Sequence, residues 1–148
     1  MTHPRYEIRS SDDSLHYVFV SEGPKGRILK LVDYAYLDEI GVWNLGFGDY
    51  NANTGRVDDQ VVSDNGDGRK VLATVVATLM FFFEQHPKET VLFTGSTTTR
   101  TQVYGRIIAM YYQEFSAEFV VTGLDDSFNE YPFDSSSEFA AYQIKKVS

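Results

Sequence analysis

The sequence predicts an α+β fold: a largely antiparallel twisted sheet of about six to seven strands with two helices packed on one face, in the order β-β-β-β-α-β-α-β-β. Three observations carry this reading. Segments of period-two alternation fill the first third of the chain, two segments of helical period follow, and short apolar runs separate and follow the helices. A chain of 148 residues also buries roughly 70% of its unfolded surface as one domain, so residues 1–148 are expected to form a single unit.

The elements follow in order. Tyr6-Glu7-Ile8-Arg9 and Leu15 to Val20 alternate and read as strands with one buried face. Glu22-Gly23-Pro24-Lys25-Gly26 is a turn, because Pro presets φ and Gly tolerates positive φ. Arg27 to Val32 resumes as the partner strand of a hairpin. Val42 to Asp49 places Trp43, Leu45 and Phe47 on one face, which is expected to be buried. Residues 50–67 are polar and read as a loop around a short strand at Gln60-Val61-Val62.

The first helix is expected from about Gly68 to Gln85. Leu72, Val75, Val76, Leu79 and Phe83 share one helical face, and Pro87 ends it. A strand follows at Thr90 to Thr94. The second helix is expected from about Arg100 to Phe115, with Val103, Ile107, Tyr111 and Phe115 on its inner stripe. Phe119 to Thr122 and Phe139 to Val147 complete the sheet. The two β-α-β stretches allow parallel pairs. Phe and Tyr together exceed what one small core needs, so the other sheet face is expected to be partly bare or used for dimerisation.

Composition narrows the function. There is no cysteine, which excludes disulfides and cysteine-based zinc sites and fits a cytoplasmic protein. The N-terminus carries no signal-like apolar stretch, and no apolar run is long enough to span a bilayer. The net charge is −8. Residues 114–138 hold seven acids and no Lys or Arg, leaving the rest near neutrality. That balance disfavours nucleic acid, whose binding rests on many phosphate contacts. The acidic flank reads as a solvated surface or as a face for a basic protein partner.

The segment of most chemical interest is T-G-S-T-T-T-R, residues 94–100, between an apolar strand and a helix. Thr99 and Gln102 fit a capping box. Free N–H groups, hydroxyls and a guanidinium also make an anion pocket, with Ser96, Thr97 and Arg100 receiving a phosphate or carboxylate. Lys70, in the first turn of the first helix, is a further cation, and Arg69 and Lys70 oppose the helix dipole there. The alternative is structural: Thr99 caps, and Arg100 pairs with Asp49, Asp64 or Asp67. The segment lacks the Lys and second Gly of a phosphate-binding P-loop. Gly95-Ser96-Thr97 is no nucleophile elbow. The Asp-rich stretch Asp58 to Asp67 lacks calcium-loop spacing, and the histidines are scattered. No metal and no cofactor are expected.

The segments FVSEGPKG, NLGFGD, NGDGRKVLATVV and TGSTTTRTQVYGRI resemble an uncharacterised family of small bacterial proteins, common in Bacteroidetes, with F-G-D, N-G-D and G-S-T-x-x-R motifs. The resemblance implies a shared cluster of Asp49, Asp67, Lys70 and Arg100, with Tyr104 as a supporting position, and no named activity. Two functional readings remain open. One is a non-enzymatic, dimeric binding or interaction module, taking an anionic group or a protein partner; a toxin–antitoxin pair is one setting for it. The other is an enzyme on a phosphorylated or nucleotide substrate, with Asp49 as the general base.

Overall fold

The computed structural model describes residues 4–51, 53, 56–58, 66–94 and 98–147, with the side chains of 51, 56–58, 99, 100 and 103 excepted. It is α+β, with a mixed, largely antiparallel sheet. The chain forms two compact units, Met1–Ala35 with Gly46–His86 and Tyr36–Leu45 with Pro87–Ser148.

In the first unit, β1 (Arg9–Ser10), β2 (His16–Gly23), β3 (Gly26–Leu37) and β4 (Val42–Asn51) run side by side, and β5 (Arg56–Asp58) pairs with β4. The β2–β3 hairpin turns through Pro24-Lys25, with Gly23 opposite Gly26 and Gly26 at φ +89°. Alternation then puts Tyr17, Phe19 and Ser21 on the same buried face as Lys30, Val32 and Tyr34. Helix α1 (Gly68–Gln85) has the expected bounds and buries the whole expected stripe from Leu72 to Phe83. Tyr34 stacks on Phe82 at 4.6 Å, and its hydroxyl meets the Thr78 hydroxyl at 2.9 Å.

In the second unit, the first residues of β4 pair in parallel with β6 (Val91–Phe93), Trp43 opposite Val91 and Leu45 opposite Phe93. The order then runs β6, β9 (Ala141–Lys146), β7 (Phe119–Leu124), β8 (Glu130–Pro132), all antiparallel. Helices α2 (Thr98–Met110) and α3 (Tyr112–Glu118) precede β7. Leu92, Leu124 and Ala141 form a buried cluster, with Leu37 and Val42 packed on it.

Several expectations need correction. There are nine strands and three helices among the described residues, not six to seven strands and two helices. The extra strands β5 and β8 have three residues each, too short for alternation to show. The expected strand at Tyr6 to Arg9 reduces to Arg9–Ser10, because the Tyr6 N–H leaves the sheet for Thr74 Oγ1 on α1 at 2.9 Å. The second helix starts at Thr98, so Thr99 lies inside it rather than capping it. It breaks at Tyr111, which has φ −116° and ψ 26° and starts α3. Its buried face runs through Thr101, Tyr104 and Ile108, one residue round from the expected Ile107; Phe115, also expected, is buried in α3, and the Val103 side chain lies outside the described residues. Close approaches are at Gly105, where a Cβ would overlap the Tyr142 phenol, and at Gly123, where it would overlap the Phe139 ring. The expected strand at Gln60 to Val62 lies outside the described residues.

Candidate functional site

The chemistry-bearing side chains of the first unit gather near the start of α1. Asp67 occupies the N-cap position, yet its side chain makes no capping bond. Its Oδ2 instead accepts from Tyr6 Oη at 2.5 Å and from Ser21 Oγ at 2.6 Å. Ser21 is fully buried on β2, so Asp67 links sheet, N-terminal segment and helix start. The Tyr6 oxygen also accepts the Glu22 N–H at 3.0 Å. Burial first, and then the hydrogen bond to Asp67, push the Tyr6 phenol above its ordinary range. It is therefore held as a proton donor, not as a nucleophile.

One strand further in, Lys30 Nζ lies 2.5 Å from Asp49 Oδ1. The two residues are 1% and 7% exposed, so the pair is desolvated. Lys30 escaped the sequence reading, although one signal was there: it shares the period-two face of Val32 and Tyr34. Tyr6 and Ser21 gave no such signal. Their partner Asp67 lies 61 and 46 residues away.

Beside this network is an open groove of about 1000 Å³ between residues 5–9 and strand β2. Arg5, Arg9, Arg27 and Lys70 line it, against the acids Glu7 and Glu22. Lys70 Nζ sits 4.2 Å over the Tyr6 ring, and the Arg5 guanidinium 5.7 Å over Phe81. Such contacts orient a cation, and Arg5 Nη1 also donates to the Tyr6 carbonyl at 3.2 Å. Arg27 lies 3.4 Å from Glu22, both well exposed, an ion pair of little energetic weight. The apolar lining includes Val18, Val20 and Leu29.

The structure thus brings three expected site residues, Asp49, Asp67 and Lys70, into one unit, where Asp49 pairs with Lys30 while Asp67 and Lys70 share Tyr6. Tyr104 belongs to the second unit, buried in a stack on Phe93 at 4.4 Å. Ser96 and Thr97, and the side chain of Arg100, lie outside what is described. Near them, the Thr94 and Thr101 hydroxyls meet at 3.2 Å. Gln102 Nε2 donates to Glu138 at 3.0 Å. Within the acidic flank, Asp125 accepts from the N–H groups of Ser127 and Asn129, and Asp134 from that of Ser136. Those local turns hold both carboxyls below their ordinary range.

An α+β protein with a buried ion pair and a cation-lined groove is what fold and site define. A family model described as "Family of unknown function (DUF6934)" matches residues 2–147, and the chain belongs to that family. No curated protein and no solved structure matches it. No helix among the described residues is long and apolar enough to cross a membrane.

Proposed function

We propose that this protein is a non-enzymatic binding module whose groove beside β2 takes an anionic group, a carboxylate or phosphate. The observation that supports it is the gathering of Arg5, Arg9, Arg27 and Lys70 at one groove in a chain of net charge −8. Cations outnumber acids in the lining four to two, and such an excess raises the local concentration of the opposite charge. The aromatic faces under Lys70 and Arg5 hold two of these cations in place. An enzyme using Asp49 as its base would first have to part it from Lys30, within a desolvated pair. The reading includes a cytoplasmic, self-associating protein, and a second anion pocket at Ser96, Thr97, Arg100 as the sequence suggests.

A thermal-shift screen of wild type, Arg9→Ala/Lys70→Ala and Arg100→Ala against phosphate, sulfate, nucleotides and sugar phosphates tests this. A ligand at a hundred times its Kd adds about 2.7 kcal/mol, a rise of roughly 5–10 °C at this size. Loss of the shift in the Arg9/Lys70 variant places the anion in the groove, and loss in Arg100→Ala places it at α2. No shift with any anion sinks the proposal.

A further inference from the structure

The hydrogen bonding of β2 says more about what the groove accepts. In a hairpin closed by a two-residue turn, the flanking pair exchanges hydrogen bonds, and bonded and non-bonded pairs then alternate. With Gly23 opposite Gly26, positions 23, 21, 19 and 17 bond to β3. The main-chain groups of His16, Val18, Val20 and Glu22 therefore point to the other edge. Three of these have neighbours there. The His16 carbonyl accepts from the Ser11 N–H at 2.8 Å, Val18 lies opposite Arg9 in the β1 ladder, and the Glu22 N–H donates to Tyr6 Oη.

Val20 is different. The chain that would lie opposite it has been drawn off toward α1 by the Tyr6–Thr74 bond. Its N–H and C=O have no hydrogen-bond partner among the described residues. They lie on the groove lining, with strand edge occupied on either side. An exposed edge of this kind is a template for one more strand.

We propose that the groove receives an extended acidic peptide of a partner protein, which adds to the open edge of β2 at Val20. The inference rests on the anion-binding reading above and names the ligand class. The gap from Val18 to Glu22 spans about 13 Å at ~3.3 Å per residue, the length of a few strand residues. Leu29, opposite Val20 on β3 and 38% exposed, offers the peptide an apolar neighbour on one side of the sheet. Arg5, Arg9 and Lys70 stand around the same opening, with Glu7 the acid not engaged by Arg27. Arg9, opposite Val18, shares the face of Leu29, and Lys70 comes from α1, so a peptide alternating acidic and apolar residues meets a cation with its acids in either register.

The test is fluorescence anisotropy on the full chain, with a labelled peptide of about nine residues alternating Glu and Val. Three controls accompany it: the same peptide N-methylated on alternate residues along each edge in turn, a Lys–Val analogue, and competition by citrate or phosphate. The Glu–Val peptide is expected to bind, and methylation of one edge to weaken it on the order of tenfold, the effect of removing a main-chain hydrogen bond in a desolvated site. The Lys–Val peptide is expected to fail. Peptide addition is expected to slow exchange of the Val20 amide. Val20→Pro, which removes an N–H that serves no ladder bond, is expected to fold and to lose the peptide; should it not fold, the methylated peptides and the amide exchange decide. Equal binding of methylated and unmethylated peptides, or an unprotected Val20 amide, overturns strand addition while leaving anion binding standing if citrate or phosphate competes. A dimer in light scattering that dissociates on addition of the peptide overturns the partner protein as the occupant, since the edge then belongs to a second copy. Failure of every peptide and every anion to bind overturns both readings.

Discussion

Lys30 and Asp49 form an ion pair at 2.5 Å on the inner face of the sheet, where neither is more than marginally exposed. A buried pair costs desolvation on both sides, and removing one partner leaves the other charge without compensation. Lys30→Met and Asp49→Leu are each expected to destabilise the protein by about 3–5 kcal/mol, measured by urea denaturation. The double variant is expected to recover most of that loss, because an apolar pair of similar volume is often neutral. Additive losses in the double variant would show that the two residues do not act as a pair.

Tyr6→Phe keeps the ring under Lys70 but removes the phenol between Asp67 and Glu22. The expected loss is about 1–3 kcal/mol, the cost of leaving buried polar groups unmatched. Phenols give the wild type a distinct alkaline profile. Tyr6, Tyr17, Tyr34 and Tyr142 are all raised above the ordinary phenol range, each chiefly by burial. A folded-state value above the unfolded one means the unfolded chain loses its protons first. The stability from these phenols is therefore intact below pH 10 and falls as pH rises beyond it. Denaturation followed from pH 8 to 11 checks this, and Tyr6→Phe is expected to flatten the decline. A profile identical in the variant would exclude Tyr6 as a contributor.

Much of this fold was legible, and the reasons are local. The stripe from Leu72 to Phe83 with Pro87 beyond it specifies α1 to the residue, and the Gly-Pro-Lys-Gly turn specifies the first hairpin. What was not legible is long-range. Lys30 gains its partner 19 residues away and Tyr6 61 residues away, so no window of sequence contains either pair. Asp67 illustrates the difference: the helix start just after it was readable, but the side chain serves Tyr6 and Ser21 rather than the helix. The α2 face was displaced by one residue because a tertiary approach at Gly105, and not the apolar periodicity alone, selects which side packs.

Gly105→Ala tests that approach. In an isolated helix the change would help by roughly 1 kcal/mol. Here the added methyl would overlap the Tyr142 phenol, itself buried between Phe133 and Phe139. Overpacking of this kind costs about 1–3 kcal/mol, so a net loss is expected, read as a lower Tm. Combining it with Tyr142→Leu is expected to restore part of it. A stabilised Gly105→Ala would mean that the ring moves aside freely.

The two compact units are interleaved in sequence. The chain passes between them at Ala35–Tyr36, Leu45–Gly46 and His86–Pro87, so β3 and β4 each contribute residues to both. Two units joined by one linker can unfold independently. Here the chain crosses three times, so the sequence offers no single linker at which to separate them. One domain, and one cooperative transition, is therefore expected. In calorimetry the van't Hoff and calorimetric enthalpies are expected to agree, with denaturation followed at Trp43 in one unit and by amide exchange in the other coinciding. Lys30→Met lies in the first unit, and under this linkage it lowers the transition reported by Trp43 in the second by the same amount. Two separated transitions, or a Trp43 signal that ignores Lys30→Met, would show instead that the units are energetically independent.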